Sequence, residues 1–358
     1  MPSSNDTIVI DRILSRVAEY KASDVHLTPG NPPIVRVDGK LVSLEGEAII
    51  TPDFLERLAE LLLSEPQRQE LADKKELVIA ATWQKRARYK ISFFHQRGSL
   101  SASLRLIPQQ IPSLEQLGLP AVVQRLAELE KGLVLVTGPF GSGRTATASA
   151  LLDRINQTRA EHVVTIEKPI EQIFVNSRSV IEQREVGRDT LSFEQALATA
   201  SREDVDVIFV SEMEDTPVIE AVLNAAESAR LVISTMNTDS IVRTIEKILT
   251  SFPEDQTQRI RVQLAATLQA IVSQRLLPRV GGGRIVVAEV MLPTGPIRSV
   301  IRDGQLYQLT NLLQTSREQG MISLDRSLAE LVKTGEILMD DAIAHAVDRN
   351  SLKSLTRM

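Results

Sequence analysis

The sequence contains no cysteine. That absence excludes disulfides, thiolate nucleophiles and cysteine-ligated zinc together. Histidine is scarce: His26, His95, His162 and His345 are the whole set, and no two share a close metal-ligand spacing. Aromatic residues are 3% of the chain, so no surface for stacking bases is evident. Basic charge is not in excess either, with 41 Lys and Arg against 46 Asp and Glu, and direct nucleic-acid binding is not expected. No apolar run approaches the roughly 20 residues that span a bilayer. The opening MPSSNDTIVIDRI lacks a basic segment leading into a long apolar core, so no signal peptide is expected. The sequence predicts a soluble, cytoplasmic protein that reaches a membrane only through a partner.

Core-forming residues are plentiful: 43% of 358 residues are apolar, enough for two or three domains. Residues 6–20 carry Ile8, Ile10, Ile13, Leu14 and Val17 near helical spacing. Val25 and Leu27 alternate with polar neighbours, and Ile34, Val35 and Val37 lead into a hairpin signal at Asp38-Gly39. Thr51 and Pro52 read as a helix cap and first turn. Strand-like runs follow at 76–82, 88–94 and 100–107. Residues 1–108 therefore read as an α+β domain with an antiparallel sheet.

Pro108, Pro112 and Pro120 punctuate a linker at 109–118, and from 119 to 358 the pattern is α/β. Gly132-Leu133-Val134-Leu135-Val136 is a buried-strand run, followed by a Gly-rich loop and a helix at 144–157. Further strands are predicted at 162–166, 205–210 and 231–235, and a helix capped by Thr216 with Pro217 in its first turn. This alternation predicts a mostly parallel sheet covered by helices, with a helical tail from about 305.

The strongest local motif is Gly138-Pro139-Phe140-Gly141-Ser142-Gly143-Arg144-Thr145. A phosphate loop reads Gly, four residues, Gly, Lys, then Ser or Thr, and only the lysine differs here, replaced by Arg144. Gly138, Gly141 and Gly143 allow backbone N–H groups to wrap a phosphate at a helix N-terminus, and Ser142 lies within that wrap. The Thr145 hydroxyl can serve Mg²⁺. An arginine brings a long planar fork where lysine brings a point charge. Binding tolerates that exchange better than phosphoryl transfer does. Two more strands end in carboxylates, Glu167 after Val163-Val164-Thr165-Ile166 and Glu212 after Val207-Ile208-Phe209-Val210-Ser211. Strand C-termini line the ligand crevice of a doubly wound sheet. Glu212 is thus a candidate to hold the water that attacks ATP, and Glu167 to assist it or order the Mg²⁺ shell. Gly281-Gly282-Gly283-Arg284 has a similar shape but lacks the following pattern and reads as a turn between strands.

These motifs, together with Ala22-Ser23-Asp24-Val25-His26-Leu27, Gln183-Arg184-Glu185-Val186-Gly187-Arg188-Asp189-Thr190 and Leu268-Gln269-Ala270-Ile271-Val272-Ser273-Gln274, resemble the type IV pilus retraction ATPases, the PilT and PilU proteins of the secretion-ATPase superfamily. The resemblance runs from about residue 10 to 350. It implies a PAS-like N-terminal domain, a RecA-like P-loop ATPase domain and a hexameric ring. It implies Glu212 as the water-activating residue with Glu167 beside it and Mg²⁺. Arg97 and Arg105 resemble arginines that reach nucleotide in the assembled ring. An inner-membrane pilus platform protein is the implied partner, with the ring peripheral to that membrane.

The departures from the family gather around the chemistry. Besides Arg144, Lys168 stands where the family has aspartate, Ser211 for glycine and Glu214 for arginine. The two histidine-box positions hold Arg230 and Asn237. Asn237 hydrogen-bonds but cannot ionise. Arg144 and Arg230 together offer one route by which positive charge is repartitioned rather than lost. The leading expectation is a nucleotide-binding ring subunit for pilus retraction and twitching, with slow or impaired ATP hydrolysis. The alternatives are an inactive accessory subunit that assembles with an active retraction ATPase, and a secretion or DNA-uptake ATPase. Assembly ATPases of the superfamily generally resemble a longer chain with a Cys-rich zinc insertion, which this sequence lacks.

Overall fold

The structure, a computed structural model, describes residues 4–84 and 87–357. It divides into two compact units, Met1–Gln110 with Pro169–Gln172, and Ile111–Lys168 with Ile173–Met358.

The first unit runs α1 (Ser4–Glu19), β1 (Asp24–Leu27), β2 (Ile34–Val37), β3 (Lys40–Ser43), α2 (Pro52–Leu62), α3 (Glu65–Lys74), β4 (Glu76–Trp83), β5 (Ala87–Gln96) and β6 (Ser99–Ile107). Its strands form one antiparallel sheet in the order β3-β2-β1-β6-β5-β4. Ile10, Ile13, Leu14 and Val17 of α1 pack into the core at helical spacing, whereas Ile8 stays 61% exposed. Asp38 and Gly39 both adopt positive φ, 46° and 85°, as a tight β2–β3 turn requires. Thr51 caps α2 by accepting the Phe54 N–H at 3.2 Å. The sequence reading passed over α3, which has a Ser64–Gln67 capping box but buries only Leu71, so no apolar stripe betrays it. Pro169–Gln172 joins this unit through hydrogen bonds from Arg88 to the Ile170 and Glu171 carbonyls, at 2.6 and 2.7 Å, and an ion pair of Lys90 with Glu171 at 2.9 Å.

The second unit opens with the short α4 (Ala121–Gln124), then β7 (Gly132–Thr137), α5 (Arg144–Thr158), β8 (His162–Glu167), β9 (Val180–Glu185), α6 (Phe193–Ala200), β10 (Val207–Val210), α7 (Thr216–Glu227) and β11 (Leu231–Met236). It continues with α8 (Ile241–Thr250), α9 (Glu254–Thr267), β12 (Leu268–Pro278), β13 (Arg284–Met291), α10 (Gly295–Asp303), α11 (Leu309–Thr315), α12 (Leu324–Lys333), α13 (Met339–His345) and α14 (Arg349–Arg357). The sheet order is β13-β12-β7-β11-β10-β8-β9, and every pairing is parallel except β12–β13. Both faces are covered. Leu133 and Leu135 of β7 pack with α6–α10, while Val134 and Val136 pack with α5 and the segment before β7. The period of two along a fully buried strand is thus read by two different cores.

The fold class is the one the sequence implied, an antiparallel α+β unit followed by a parallel-sheet P-loop unit. Two local readings change, at the α7 cap and at β9, and the turn between strands read at Gly281–Gly283 is present. Asp215, not Thr216, caps α7, because its carboxylate accepts the Val218 N–H at 3.2 Å and moves Pro217 to the second helical position. β9 was not foreseen; it is a polar edge strand, VIEQRE, with little apolar signal. Gly281–Gly283 make the β12–β13 turn with φ of 91°, 106° and 75°, closed by the Arg279 N–H to the Gly283 carbonyl at 3.1 Å.

Candidate nucleotide site

β7 is buried along its whole length, and the chain breaks from it at Gly138. A Cβ there would lie 2.3 Å from the Gln274 carbonyl oxygen and 2.4 Å from Ser142 Oγ, so only glycine fits. Gly141 (φ 76°) and Gly143 (φ 90°) complete the wrap, and Ser142 N–H donates to the Pro139 carbonyl at 3.2 Å. Gly143 is the N-cap of α5, and the first helical hydrogen bond runs from Thr147 N–H back to its carbonyl at 3.1 Å. The N–H groups of Thr145 and Ala146 precede that bond and have no helical carbonyl behind them, which is the arrangement that favours an anion. Ser142 Oγ is buried within the wrap without a hydrogen-bond partner among the described residues.

One residue that the sequence reading left without a role organises this loop. Gln274 of β12 is fully buried. Its Nε2 donates to the Ser142 carbonyl at 2.7 Å, and its Oε1 accepts the Thr147 hydroxyl at 2.9 Å. The available signal was a glutamine inside the apolar run LQAIVSQRLL. The Arg144 guanidinium carbon lies 6.0 Å from the centroid of the Phe140 ring, which is itself 78% exposed. Thr145 is half-buried at the start of α5.

The two glutamates share the sheet edge with this loop. Glu167 ends β8, is buried, and receives the Thr165 hydroxyl at 2.7 Å and the Gln183 amide at 3.0 Å on Oε1. Glu212 is half-buried two residues beyond β10. Its backbone neighbours are tied to both adjacent strands, Ser211 N–H to the Ile166 carbonyl at 3.0 Å and Met213 N–H to the Thr235 carbonyl at 2.9 Å. Parallel register aligns Ile166 with Val210, Val210 with Ser234, and Met236 with Thr137. The phosphate loop, Asn237, Glu212 and Glu167 therefore stand along one C-terminal edge. At about 4.8 Å per strand, β10 lies roughly 10 Å from β7, and β8 roughly 14 Å.

Lys168 and Asn237 follow β8 and β11 at that same edge, and the other positions lie elsewhere. Lys168 is exposed and Asn237 half-buried. Arg230 precedes β11, at the opposite sheet edge, and donates to the carbonyls of Ser201, Val205 and Glu203 at 3.0, 3.0 and 3.3 Å. Its charge does not compensate at the loop, and repartition through Arg230 is ruled out within this chain. Arg97 and Arg105 belong to the first unit. Arg97 is exposed in the β5–β6 turn with φ 48°. Arg105 pairs with Asp24 at 2.7 Å. Burial pushes the Asp24 carboxyl up, but hydrogen bonds from Ser23 and Arg105 and the Arg105 charge hold it below the usual range.

Residues 4–282 match the family described as type II/IV secretion system protein. The chain belongs to that family. Within it, the chain is similar to the type IV pilus retraction ATPase PilT of Pseudomonas aeruginosa, 37% identical over 93% of this chain and 96% of that protein. It is also 33% identical to the type IV pilus ATPase PilU of the same organism, over 97% of this chain and 91% of the relative. A crystal structure of the pilus retraction motor PilT with bound ADP superposes with a TM-score of 0.83 and 41% identity, covering 97% of this chain and 98% of the other. This is a PilT/PilU-like secretion ATPase with the parallel-sheet ATPase fold.

The site fits the groups the family implies. The wrap around Gly138–Gly143 admits no side chain at its first position and presents helix N–H groups suited to a phosphate. Among the described residues no three His, Asp or Glu cluster as a metal cage. Mg²⁺ needs none, since it takes few protein ligands beside phosphate oxygens and water.

Proposed function

We propose that this chain is a nucleotide-binding ring subunit of type IV pilus retraction machinery whose ATP hydrolysis is slow. The observation that carries the reading is a phosphate cradle of intact shape, Gly138 to Thr145 pinned by Gln274, with Arg144 at its lysine position. Gly138, Gly141, Ser142 and Gly143 hold the nucleotide phosphates by backbone N–H groups, and Thr145 and Glu167 hold Mg²⁺. When bound, Mg²⁺ supplies charge neutralisation between the phosphates. Glu212 orients the attacking water and takes its proton, and Glu167 sets the polarity of that pocket. Arg144 attracts phosphate through a planar fork. A fork anchored five atoms from the backbone does not put its charge where a lysine ammonium would, and a few tenths of an ångström there cost rate more than affinity. Asn237 adds no ionisable group.

By likeness to the PilT and PilU proteins, the ring is a homo-hexamer or a mixed ring with another retraction ATPase. It sits in the cytoplasm against an inner-membrane platform protein; among the described residues no helix is long and apolar enough to cross a membrane. Arg97 and Arg105 reach the nucleotide of the assembled ring. The cluster of substitutions at 144, 168 and 237 favours a second reading, in which the chain is an accessory subunit that strengthens an active ATPase.

The test is ATP and ADP binding with Mg²⁺, and turnover alone and with a separately purified active retraction ATPase. Binding with slow turnover that rises at least tenfold in Arg144→Lys supports the proposal. Binding with no turnover in either form supports the accessory reading. Fast turnover abolished by Glu212→Ala removes the slow-hydrolysis part. Folded protein that binds no nucleotide, alone or in a ring, overturns both.

A further inference from the structure

We infer that Gln274 is a positioning residue for the nucleotide cradle: its side-chain amide selects the orientation of the Ser142–Gly143 peptide that turns the Gly143 N–H toward phosphate. The inference rests on the reading of residues 138–145 as a phosphate site.

A trans peptide is planar, with its C=O and N–H pointing in opposite directions. The Ser142 carbonyl points to Gln274 Nε2, 2.7 Å away. The Gly143 N–H therefore points away from β12, toward the side where the N–H groups of the first turn of α5 open. Glycine is needed here because φ is 90°, and a Cβ would approach Gln274 Nε2 to 3.1 Å. The same freedom makes a flip of this peptide cheap, since glycine populates both signs of φ. A flipped peptide would present a carbonyl oxygen to the phosphate and repel it. Something must choose, and the buried glutamine is that group.

The amide is itself held in one orientation. The Ser142 carbonyl only accepts, so the NH2 end must face it. The Thr147 hydroxyl then donates to Oε1 at 2.9 Å, which the reversed amide would not accept. Gln274 sits on β12, paired with β7 on one side and β13 on the other, and no solvent reaches its side chain to compete. Its carbonyl is also the atom that forbids a side chain at Gly138. One residue thus shapes both ends of the loop.

Three variants test this. Gln274→Met removes donor and acceptor at similar volume. Thr147→Val removes only the group that orients the amide. Gln274→Glu keeps the acceptor for Thr147 but sets a carboxylate against the Ser142 carbonyl until it takes a proton, when its O–H restores the donor. The readouts are affinity for ADP with Mg²⁺, and amide hydrogen exchange at residues 143–146 without nucleotide. Gln274→Met is expected to weaken ADP by roughly tenfold, the worth of one lost strong hydrogen bond, and Thr147→Val by a few fold. Both speed exchange at 143–146 while the β10 and β11 amides stay protected. The Gln274→Glu affinity is expected to recover, relative to wild type, between about pH 8 and about pH 6; a purely structural glutamine gives no such recovery. If Gln274→Met fails to fold, Thr147→Val and the pH profile of Gln274→Glu carry the test. Folded variants that bind ADP like wild type, or a Gln274→Glu deficit that ignores pH, overturn the inference. Wild-type protein that binds no ADP overturns the phosphate reading instead.

Discussion

Gln183 donates its side-chain amide to Glu167 Oε1 at 3.0 Å, across the β8–β9 pair, while its own Oε1 accepts the Phe174 N–H at 3.0 Å. With the Thr165 hydroxyl also on Oε1, the Glu167 carboxylate is fixed by its own sheet before any ligand arrives. Buried carboxylates persist in proteins when several donors replace water. β9 therefore matters to the site although it contributes no residue to the phosphate loop.

Replacing Gln183 by leucine leaves a buried carboxylate oxygen and the Phe174 N–H each short of a partner. The expected cost is about 1–3 kcal/mol of stability, readable as a lower urea midpoint. Turnover should fall more than ADP affinity, because Glu167 loses its fixed position while the phosphate loop is untouched. Equal losses in both would mean that Gln183 supports the cradle as a whole.

Two glycines of the loop, Gly138 and Gly141, differ in what a side chain would meet. Gly138→Ala drives a methyl into the Gln274 carbonyl at 2.3 Å, backbone that cannot move aside without shifting β12. The loop must rearrange, and nucleotide binding is expected to vanish, with a stability loss of about 2–4 kcal/mol. Gly141→Ala meets nothing within 4 Å and carries only the strain of φ 76°. It is expected to cost about 1 kcal/mol and to keep nucleotide binding. Thermal melts and ADP titrations of the two proteins, side by side, separate contact from strain.

Much of this was legible beforehand, and the reasons differ by element. β7 and β10 are near-continuous apolar runs, and β8 and β11 are interrupted only by Thr165 and by Ser234-Thr235, so their burial on both faces could be read directly. The carboxylates Glu167 and Glu212 announced themselves by following such runs. The latch at Gln274 was hidden because its meaning is a contact 132 residues away, across strands that are not sequential. Arg230 misled for the same reason in reverse: local wording placed it in a motif, but the start of a parallel strand lies at the far edge from the end of its neighbour. α3 buries only Leu71 and no residue of β9 is fully buried, so neither polar element sets a period.

The two arginines of the first unit should separate by stability. Arg105→Ala leaves buried Asp24 with Ser23 but without its cation, and about 1–3 kcal/mol should be lost. Because that carboxyl is held below its usual range when folded, the pair's contribution is present above the unfolded carboxyl pKa and is lost as acid protonates Asp24. Arg97→Ala removes an exposed side chain at a turn and should change stability by less than about 0.5 kcal/mol. If both serve nucleotide in the ring, each weakens ATP affinity of the assembled form and leaves that of the isolated chain unchanged. Chemical denaturation and nucleotide titration at two protein concentrations measure both effects.

Glu289 sets a pH dependence of its own. It lies on β13 opposite Ser273, and its carboxyl accepts the backbone N–H groups of Ile241 and Leu324, the first residues of α8 and α12, with Arg275 and Asp325 close by. Burial raises it to about 7, against the lowering effect of those two N–H groups and of Arg275. The folded state then holds a proton that the unfolded chain, near 4.5, has released. Between those values the unfolded state binds fewer protons, so stability falls as pH rises and levels off once the folded carboxyl has ionised. The full difference is about 3 kcal/mol. Glu289→Gln keeps a neutral side chain of the same shape and has no proton to lose. Its unfolding free energy minus that of the wild type should therefore grow between about pH 5 and about pH 7 and stay constant above, as read from urea midpoints across that range. A difference that does not change with pH would mean that the carboxyl is already ionised at pH 5, held by the two helix N-termini and Arg275 more strongly than burial opposes it.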